Sequence, residues 1–445
     1  MKIRFLLMIM VLSVIRVTAQ SAEIGLRVVD VQRMDTAFEE INYRTAVISP
    51  NAEMIAWSDR DAVCLYTFTT DVSECSPLPP DLRLSNNIKL EWSPDNGWLV
   101  FTEDAFRNAH ESDIWLFNVL GKSFLNRTED RLYGGFISNG DQAALLDYEP
   151  IWNPVTGDLY FIRTIYDRSA STSISQSGLY RIAADALFFP IIEPELVLDL
   201  TGRILNEPFP VYPSPLHGLE GAAAISPNGT HLALLVRPNE RRNAAQGVWV
   251  IDLQSGEITQ LINQERDFAN IGLPAYVSDT TSSGAEFLRL TTLSWANTGT
   301  GLVITLSNDF SSTDITEMAY YVDVATSDVT PIVDFSGIQD VADFIARTRD
   351  DGFPSRYDMP SAPILVKGIG GFMQPSQDIF LAFNFDPINQ QSGVSAVILP
   401  PSGEEPVRLT DLVGEPLLMD FPTVGENETV IRALMFGYLV TLERG

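Results

Sequence analysis

The sequence predicts an all-β fold: a ring of seven four-stranded antiparallel sheets, with the first strand of the chain completing the last sheet. Three observations predict it. One unit of four short strands, Ala222 to Leu261, recurs along the chain with the same turn chemistry. A further unit near the C-terminal end offers only three strands, Leu417 to Phe421, Thr429 to Met435 and Tyr438 to Glu443, with a turn at Gly425-Glu426-Asn427. At the other end Ile24 to Arg33 is a strand-like run with no neighbour of its own. A four-stranded sheet cannot bury both faces alone, but copies packed face to face can, and closing the ring leaves no sheet unpaired.

The unit itself reads as follows. Ala222 to Ile225 is a small-residue strand that ends in Ser226-Pro227-Asn228-Gly229, where Pro sets φ and Asn-Gly supplies the positive φ of a tight turn. His231 to Val236 is the second strand, and Arg237 to Gln246 a polar loop. Val248 to Asp252, the turn Gln254-Ser255-Gly256 and Glu257 to Leu261 complete the sheet. Copies start at Ile48-Ser49-Pro50-Asn51, Trp92-Ser93-Pro94-Asp95, Trp152-Asn153-Pro154, Trp295-Ala296-Asn297 and, more weakly, Gln374-Pro375-Ser376. Such repetition of one supersecondary unit is the mark of a repeat architecture. Six blades is the alternative, with the C-terminal strands packing on the ring.

Ser-Pro-Asp/Asn-Gly turns between first and second strands resemble those of TolB-type and WD-type β-propellers, and of the propeller in prolyl-oligopeptidase-like enzymes. The resemblance covers the chain from residue 20 to 445, read as one β-propeller domain. It implies an exported protein that binds protein partners, as TolB-type proteins do in the periplasm. A hydrolase domain of the prolyl-oligopeptidase kind is not expected, since no Gly-x-Ser-x-Gly turn occurs in the sequence.

Composition narrows the partners. The chain has 445 residues, 45% hydrophobic and 20% charged, with 29 Lys+Arg against 58 Asp+Glu, a net charge of −29. That balance is globular, and it repels nucleic acid and anionic membranes. Residues 1–19 read as a signal peptide: Lys2 and Arg4, an apolar run from Phe5 to Ile15 too short to span a bilayer, then Val17-Thr18-Ala19. An exported chain meets oxidising conditions, so Cys64 and Cys75, its two cysteines, are expected to pair. They fall in the third and fourth strands of the first unit, almost equidistant from a turn near Thr69 to Asp71, and so face each other across one hairpin. A loop that short gives about 2–3 kcal/mol of stabilisation.

No catalytic or metal constellation is legible, and no cofactor is expected. The three histidines, His110, His217 and His231, share no ligand spacing with each other or with the cysteines. Gly368-Ile369-Gly370-Gly371 precedes a strand rather than a helix, unlike a nucleotide loop. Asn126, Asn228 and Asn427 match the glycosylation acceptor pattern, the latter two beside turns where Asn has a structural reason. Trp57, Trp92, Trp115, Trp152, Trp249 and Trp295 fall in repeat strands, which favours inter-blade core over a sugar-binding platform.

Loop lengths point to the binding surface. In a four-stranded antiparallel blade the loop after the second strand and the link to the next blade emerge on one face. The other two turns emerge on the opposite face. The first set is long: Glu103 to Ser112, Arg163 to Ser177, Arg237 to Gln246 and Ser307 to Glu317, with inter-unit links such as Ser336 to Ala362, where a short helix is expected. The second set reads as minimal turns. Rigid scaffolds display binding residues on long ordered loops. The expected contacts are Phe106, Arg107, His110, Tyr166, Arg168, Arg237, Arg241, Arg242, Phe310, Arg349 and Tyr357. The expected function is a monomeric, non-catalytic protein- or peptide-binding module, periplasmic or extracellular. The alternative is a lyase or hydrolase with a polar site at the central channel.

Overall fold

The computed structural model describes residues 26–38, 40–42, 45–59, 61–80, 82, 84, 90–103, 112–129, 144–167, 173–189, 193–201, 223–236, 247–263, 288–295, 299–308, 318–334, 372–374, 377–386, 391–399, 423–435 and 438–444. β1 (Leu26–Arg33) leads into α1 (Met34–Ala37), a single helical turn. The first sheet is β2 (Val47–Ile48), β3 (Met54–Asp59), β4 (Ala62–Thr67) and β5 (Val72–Pro77). The second is β6 (Glu91–Trp92), β7 (Trp98–Thr102), β8 (Ile114–Asn118) and β9 (Ser123–Asn126). The third is β10 (Ala144–Trp152), β11 (Leu159–Asp167), β12 (Ser173–Ile182) and β13 (Glu195–Asp199). The fourth is β14 (Ala223–Ile225), β15 (His231–Val236), β16 (Gly247–Asp252) and β17 (Ile258–Asn263). The fifth is β18 (Leu288–Trp295), β19 (Gly301–Asn308), β20 (Met318–Asp323) and β21 (Val329–Asp334). The sixth has three strands among the described residues, β22 (Phe372–Gln374), β23 (Gln377–Asp386) and β24 (Gln391–Leu399). The last sheet takes β25 (Thr423–Glu426), β26 (Val430–Met435) and β27 (Tyr438–Arg444), with β1 as its outer strand.

Strands follow chain order in every sheet but the last, and neighbours are antiparallel throughout, so the fold is an all-β propeller whose blades, the sixth apart, show four strands among the described residues. The N-terminal strand closes the last sheet as the sequence predicts: Leu26 lies opposite Arg444 and Arg33 opposite Tyr438. The inner strands carry the contacts between sheets. β25 and β26 meet β2, β2 meets β6, β6 meets β10, β10 meets β14, and β14 meets β18. The apolar core accordingly lies in the seams. Ile48, Ile55 and Trp57 pack with Leu434 and Leu439 between the last and first sheets. Val47, Leu65, Trp92 and Phe101 fill the next seam, and Val100, Leu116, Trp152 and Phe161 the one after it.

Two expectations about element bounds need correction. The inner strand of the last sheet is Thr423–Glu426 and its turn lies at Asn427, not at Gly425. Gly425 is there because a Cβ would stand 1.9 Å from the Ser49 carbonyl oxygen of the first sheet. The loop expected over Arg163 to Ser177 is also shorter. β11 and β12 continue to Asp167 and from Ser173, because the polar Thr164 and Ser177 are buried partners across the sheet. The expected strand Leu417 to Phe421, the helix after Ser336 and the signal segment lie outside the described residues. Among the described residues, no helix is long and apolar enough to cross a membrane.

Candidate functional site

The two faces of the ring differ, and the difference begins in the turns. In Ser49-Pro50-Asn51 the Ser49 hydroxyl donates to Asn51 Oδ1 (2.7 Å) and accepts from the Met54 amide (2.9 Å). Asn51 Oδ1 also accepts from the Glu53 amide. Ser93 with Asp95, and Ser226 with Asn228, repeat the arrangement. The residue after Asn/Asp takes a left-handed conformation, φ +59 at Ala52, +61 at Asn96 and +73 at Gly229. The motif is thus a self-contained hydrogen-bond circuit that fixes each turn.

Spare groups of the same turns latch one blade to the next. The Asn51 amide donates to Asn96 Oδ1 (3.0 Å), Asn153 Nδ2 to the Gly229 carbonyl (2.9 Å) and Asn427 Nδ2 to the Asn51 carbonyl (3.2 Å). Deeper in the seams, Trp92 Nε1 donates to the Val47 carbonyl and Trp295 Nε1 to the Ala224 carbonyl. Trp57, Trp92, Trp115, Trp152 and Trp295 are buried and Trp249 half-buried, so the tryptophans are inter-blade core rather than a sugar platform. Asn427 is committed through its Nδ2. Asn126 Nδ2 donates to Asp113 Oδ2 (2.7 Å) beside a buried Thr128. His231 is structural too, with Nδ1 on Thr230 Oγ1 and Nε2 3.7 Å from Asp252 Oδ2.

The long-loop face has buried charge instead. Asp147 is 1% exposed and takes a bidentate contact from Arg163, Nε to Oδ1 and Nη2 to Oδ2, both 2.6 Å. The guanidinium also lies over the Phe161 and Tyr180 rings. Beside it, the Tyr148 hydroxyl, Thr164 Oγ1 and Ser177 Oγ form a buried chain across β10, β11 and β12. Burial pushes the Tyr148 phenol up to about 12.

These groups hold the stems of the long loops. Glu103 and Asp113 flank the link that contains Phe106, Arg107 and His110. The stems are joined by the Glu103 amide to the Asp113 carbonyl (3.2 Å). Glu103 accepts from Trp115 Nε1 and Asp113 from Thr128 and Asn126, so both carboxylates are buried yet satisfied. Ser112 then bridges to β10, its hydroxyl donating to the Asp147 carbonyl (2.8 Å) and its carbonyl accepting the Asp147 amide (3.0 Å). β10 pairs with β11, placing Ala144 opposite Tyr166 at the foot of residues 168–172. The backbone therefore brings the feet of two predicted loops together.

Of the expected contact residues only Tyr166 is described, on β11. Phe106, Arg107, His110, Arg168, Arg237, Arg241, Arg242, Phe310, Arg349 and Tyr357 lie outside the described residues. Arg163, expected at the start of a loop, lies in β11 and is committed to Asp147. Glu103, Asp113 and Asp147 were not singled out in the sequence, and nothing distinguishes them there from other acids. The Cys64–Cys75 disulfide is present, with the two residues directly opposite in β4 and β5 and Cα atoms 4.0 Å apart. Among the described residues no group of three or more His, Cys, Asp or Glu is placed to hold a metal ion.

No family model matches the chain, and no curated protein matches it. Solved structures do share its outline. An oligogalacturonate lyase in complex with manganese is 11% identical, with 90% of each chain covered and a TM-score of 0.49. The oligogalacturonate lyase of Vibrio parahaemolyticus is 8% identical, covering 93% of this chain and 97% of that one, TM-score 0.49. A chain of the mitotic checkpoint complex is 10% identical, covering 94% and 91%, TM-score 0.46. These likenesses are of overall outline and carry no argument about chemistry.

Proposed function

We propose that this chain is a seven-bladed propeller, its sixth sheet standing between the fifth and the last in chain order. We propose that it acts as a non-catalytic binding module for a protein or peptide, seated on the long-loop face. The observation that carries this reading is the asymmetry of the two faces. Turns after the first strands are closed by their own Ser, Asn and Asp side chains and are latched to one another. The links that leave the second and fourth strands of most blades are longer, and two of them rise from one rigid, charge-paired base. A stiff ring with long loops on one face suits recognition at low ordering cost. The disulfide fits an exported protein, with residues 1–19 as its signal peptide.

The proposed contacts are the loop residues that the sequence offers: Phe106, Arg107, His110, Tyr166, Arg168, Arg237, Arg241, Arg242, Phe310, Arg349 and Tyr357. The test is capture from periplasm or culture medium, followed by affinity measurement on the partner with Arg237, Arg241 and Arg242 replaced by Ala. Weakened binding with unchanged unfolding supports the reading, since exposed loop Arg contributes little to stability. Turnover in a screen of lyase and hydrolase substrates overturns it in favour of an enzyme. Affinity that responds instead to changes at Asn51, Asp95 and Asn228 overturns the choice of face.

A further inference from the structure

Among the described residues the short-turn face has one departure from its own rule. In the first, second, fourth and fifth sheets the third strand joins the fourth through a tight turn, with a left-handed residue at Asp71, Lys122, Gly256 and Ser327 respectively. In the third sheet β12 ends at Ile182 and β13 begins at Glu195, so the link is a true loop, not the minimal turn expected.

The described part of this loop, up to Phe189, is firmly held. The Ala184 amide donates to Asp158 Oδ1 (2.9 Å), tying it to the neighbouring turn. The Ala186 and Phe189 amides close two short turns on Ala183 and Ala186. Leu187 is buried with Trp98, Leu116 and Trp152 in the seam between the second and third sheets. Arg127, 8% exposed, reaches in and donates through Nη1 to the Leu187 and Phe189 carbonyls, both at 2.8 Å. Burial lowers the affinity of this guanidinium for its proton, so a costly buried cation is committed to holding loop backbone.

Despite that hold, Phe188 is 60% exposed and Phe189 57%. Phe188 rests one side on Trp98, with ring centroids 5.3 Å apart, and leaves the rest in water. A loop anchored this tightly has the means to tuck an aromatic inward, as Leu187 shows. Two neighbouring phenylalanines fixed outward are the kind of anchor that dominates protein interfaces. Charge then selects the occupant. Asp185, Glu193 and Glu195, near the pair in sequence, are exposed, and Arg181 is taken by Glu195 and Asp158. The rim is acidic on a chain of net charge −29. A second copy would bring a like-charged rim, and an anionic membrane would be repelled.

We propose that Phe188 and Phe189 form a docking site for a basic, amphipathic protein segment, one whose apolar side chains cover the two rings while its Lys or Arg side chains meet the acidic rim. The site lies on the β12–β13 link and contains none of the contact residues proposed for the long loops.

The test uses the full chain and three peptides: a Leu/Lys peptide patterned as an amphipathic helix, a scramble of it without an apolar face, and a Leu/Glu counterpart. The Leu/Lys peptide is expected to bind, and Phe188→Ser/Phe189→Ser to weaken it about tenfold or more, the scale of losing an aromatic anchor. Asp185→Asn/Glu193→Gln, which keeps both rings, is expected to weaken it about threefold and to flatten its salt dependence. The Arg237, Arg241, Arg242 triple variant is expected to bind this peptide as the parent does, which separates this site from the long-loop reading. Equal affinity for parent and Phe188→Ser/Phe189→Ser protein overturns the proposal, as does equal binding of the scramble. So does a concentration-dependent dimer that the same double variant abolishes, which would make the occupant a second copy.

Discussion

Replacing Arg163 with Met tests whether buried charge holds up the long-loop face. Asp147 is 1% exposed and both of its oxygens are occupied by Arg163 at 2.6 Å. The Arg163 side chain is itself 13% exposed. Met keeps the stem against Phe161 and Tyr180 and deletes the guanidinium. Asp147 is then left as a buried carboxylate with its strongest partner gone, a loss of about 3–5 kcal/mol. Loss of the ring contacts adds about 0.5–1 kcal/mol. The paired replacement Asp147→Leu/Arg163→Met removes both charges, and a well-packed apolar pair is close to neutral relative to the ion pair. The double variant should therefore recover most of what the single variant loses, a coupling of about 3 kcal/mol. The assay is urea unfolding followed by tryptophan fluorescence, comparing midpoints at matched slopes. If Arg163→Met lies within about 1 kcal/mol of the parent, or the double variant is at least as unstable as the single, the reasoning from burial is refuted.

Ring closure offers the second prediction. Gly425→Ala places a Cβ 1.9 Å from the Ser49 carbonyl oxygen and 2.9 Å from the Ala52 amide nitrogen, where backbone cannot yield. It should cost about 1–3 kcal/mol by forcing the last and first sheets apart, and a denaturation midpoint equal to the parent's would refute the contact. The third concerns alkaline pH. Tyr66, through burial and its hydrogen bond to Asp71, and Tyr148, through burial, are each pushed up to about 12 from 10.0. The folded state thus holds these protons more tightly than the unfolded chain, and their contribution is present below pH 10 and lost as pH rises from about 10 to about 12. Tyr148→Phe should flatten that alkaline loss, and spectrophotometric titration of the folded parent should show phenols that ionise later than the exposed ones.

The fold was legible wherever one hydrogen-bond circuit demands the same residues in every copy. Ser49, Ser93 and Ser226 must both donate to an Asn or Asp and accept from a strand amide, so the motif survives while the strands around it diverge. Cys64 and Cys75 were legible because a hairpin turn fixes which residues face each other. A residue's role is not legible in the sequence where it depends on a distant neighbour. Gly425 looks like a turn glycine and is an extended residue beneath another sheet's carbonyl. Thr164 and Ser177 look like loop residues and are buried partners across β11 and β12. Asp147 and Arg163 look like surface charges among many, and their burial comes from seams built by residues far along the chain.

Closure by the N-terminal strand has a consequence for how such latches divide the work. β1 supplies edge pairing to β27, so the last sheet has its fourth strand, but pairing at the outer edge does nothing for the inner strands at the axis. That end of the seam is closed separately. The Glu426 amide donates to the Pro50 carbonyl (2.7 Å), Asn427 Nδ2 to the Asn51 carbonyl and Arg432 Nη1 to the Ala52 carbonyl, with the Arg432 guanidinium over the Phe68 ring. Three consecutive carbonyls of the first turn, Pro50 to Ala52, thus accept from the last blade, while that same turn's amide at Asn51 donates onward to Asn96. The first turn is the keystone of the short-turn face, bonded on both sides. The seam between the last and first sheets is thus joined at its axis by this turn, while β1 completes the last sheet at its outer edge.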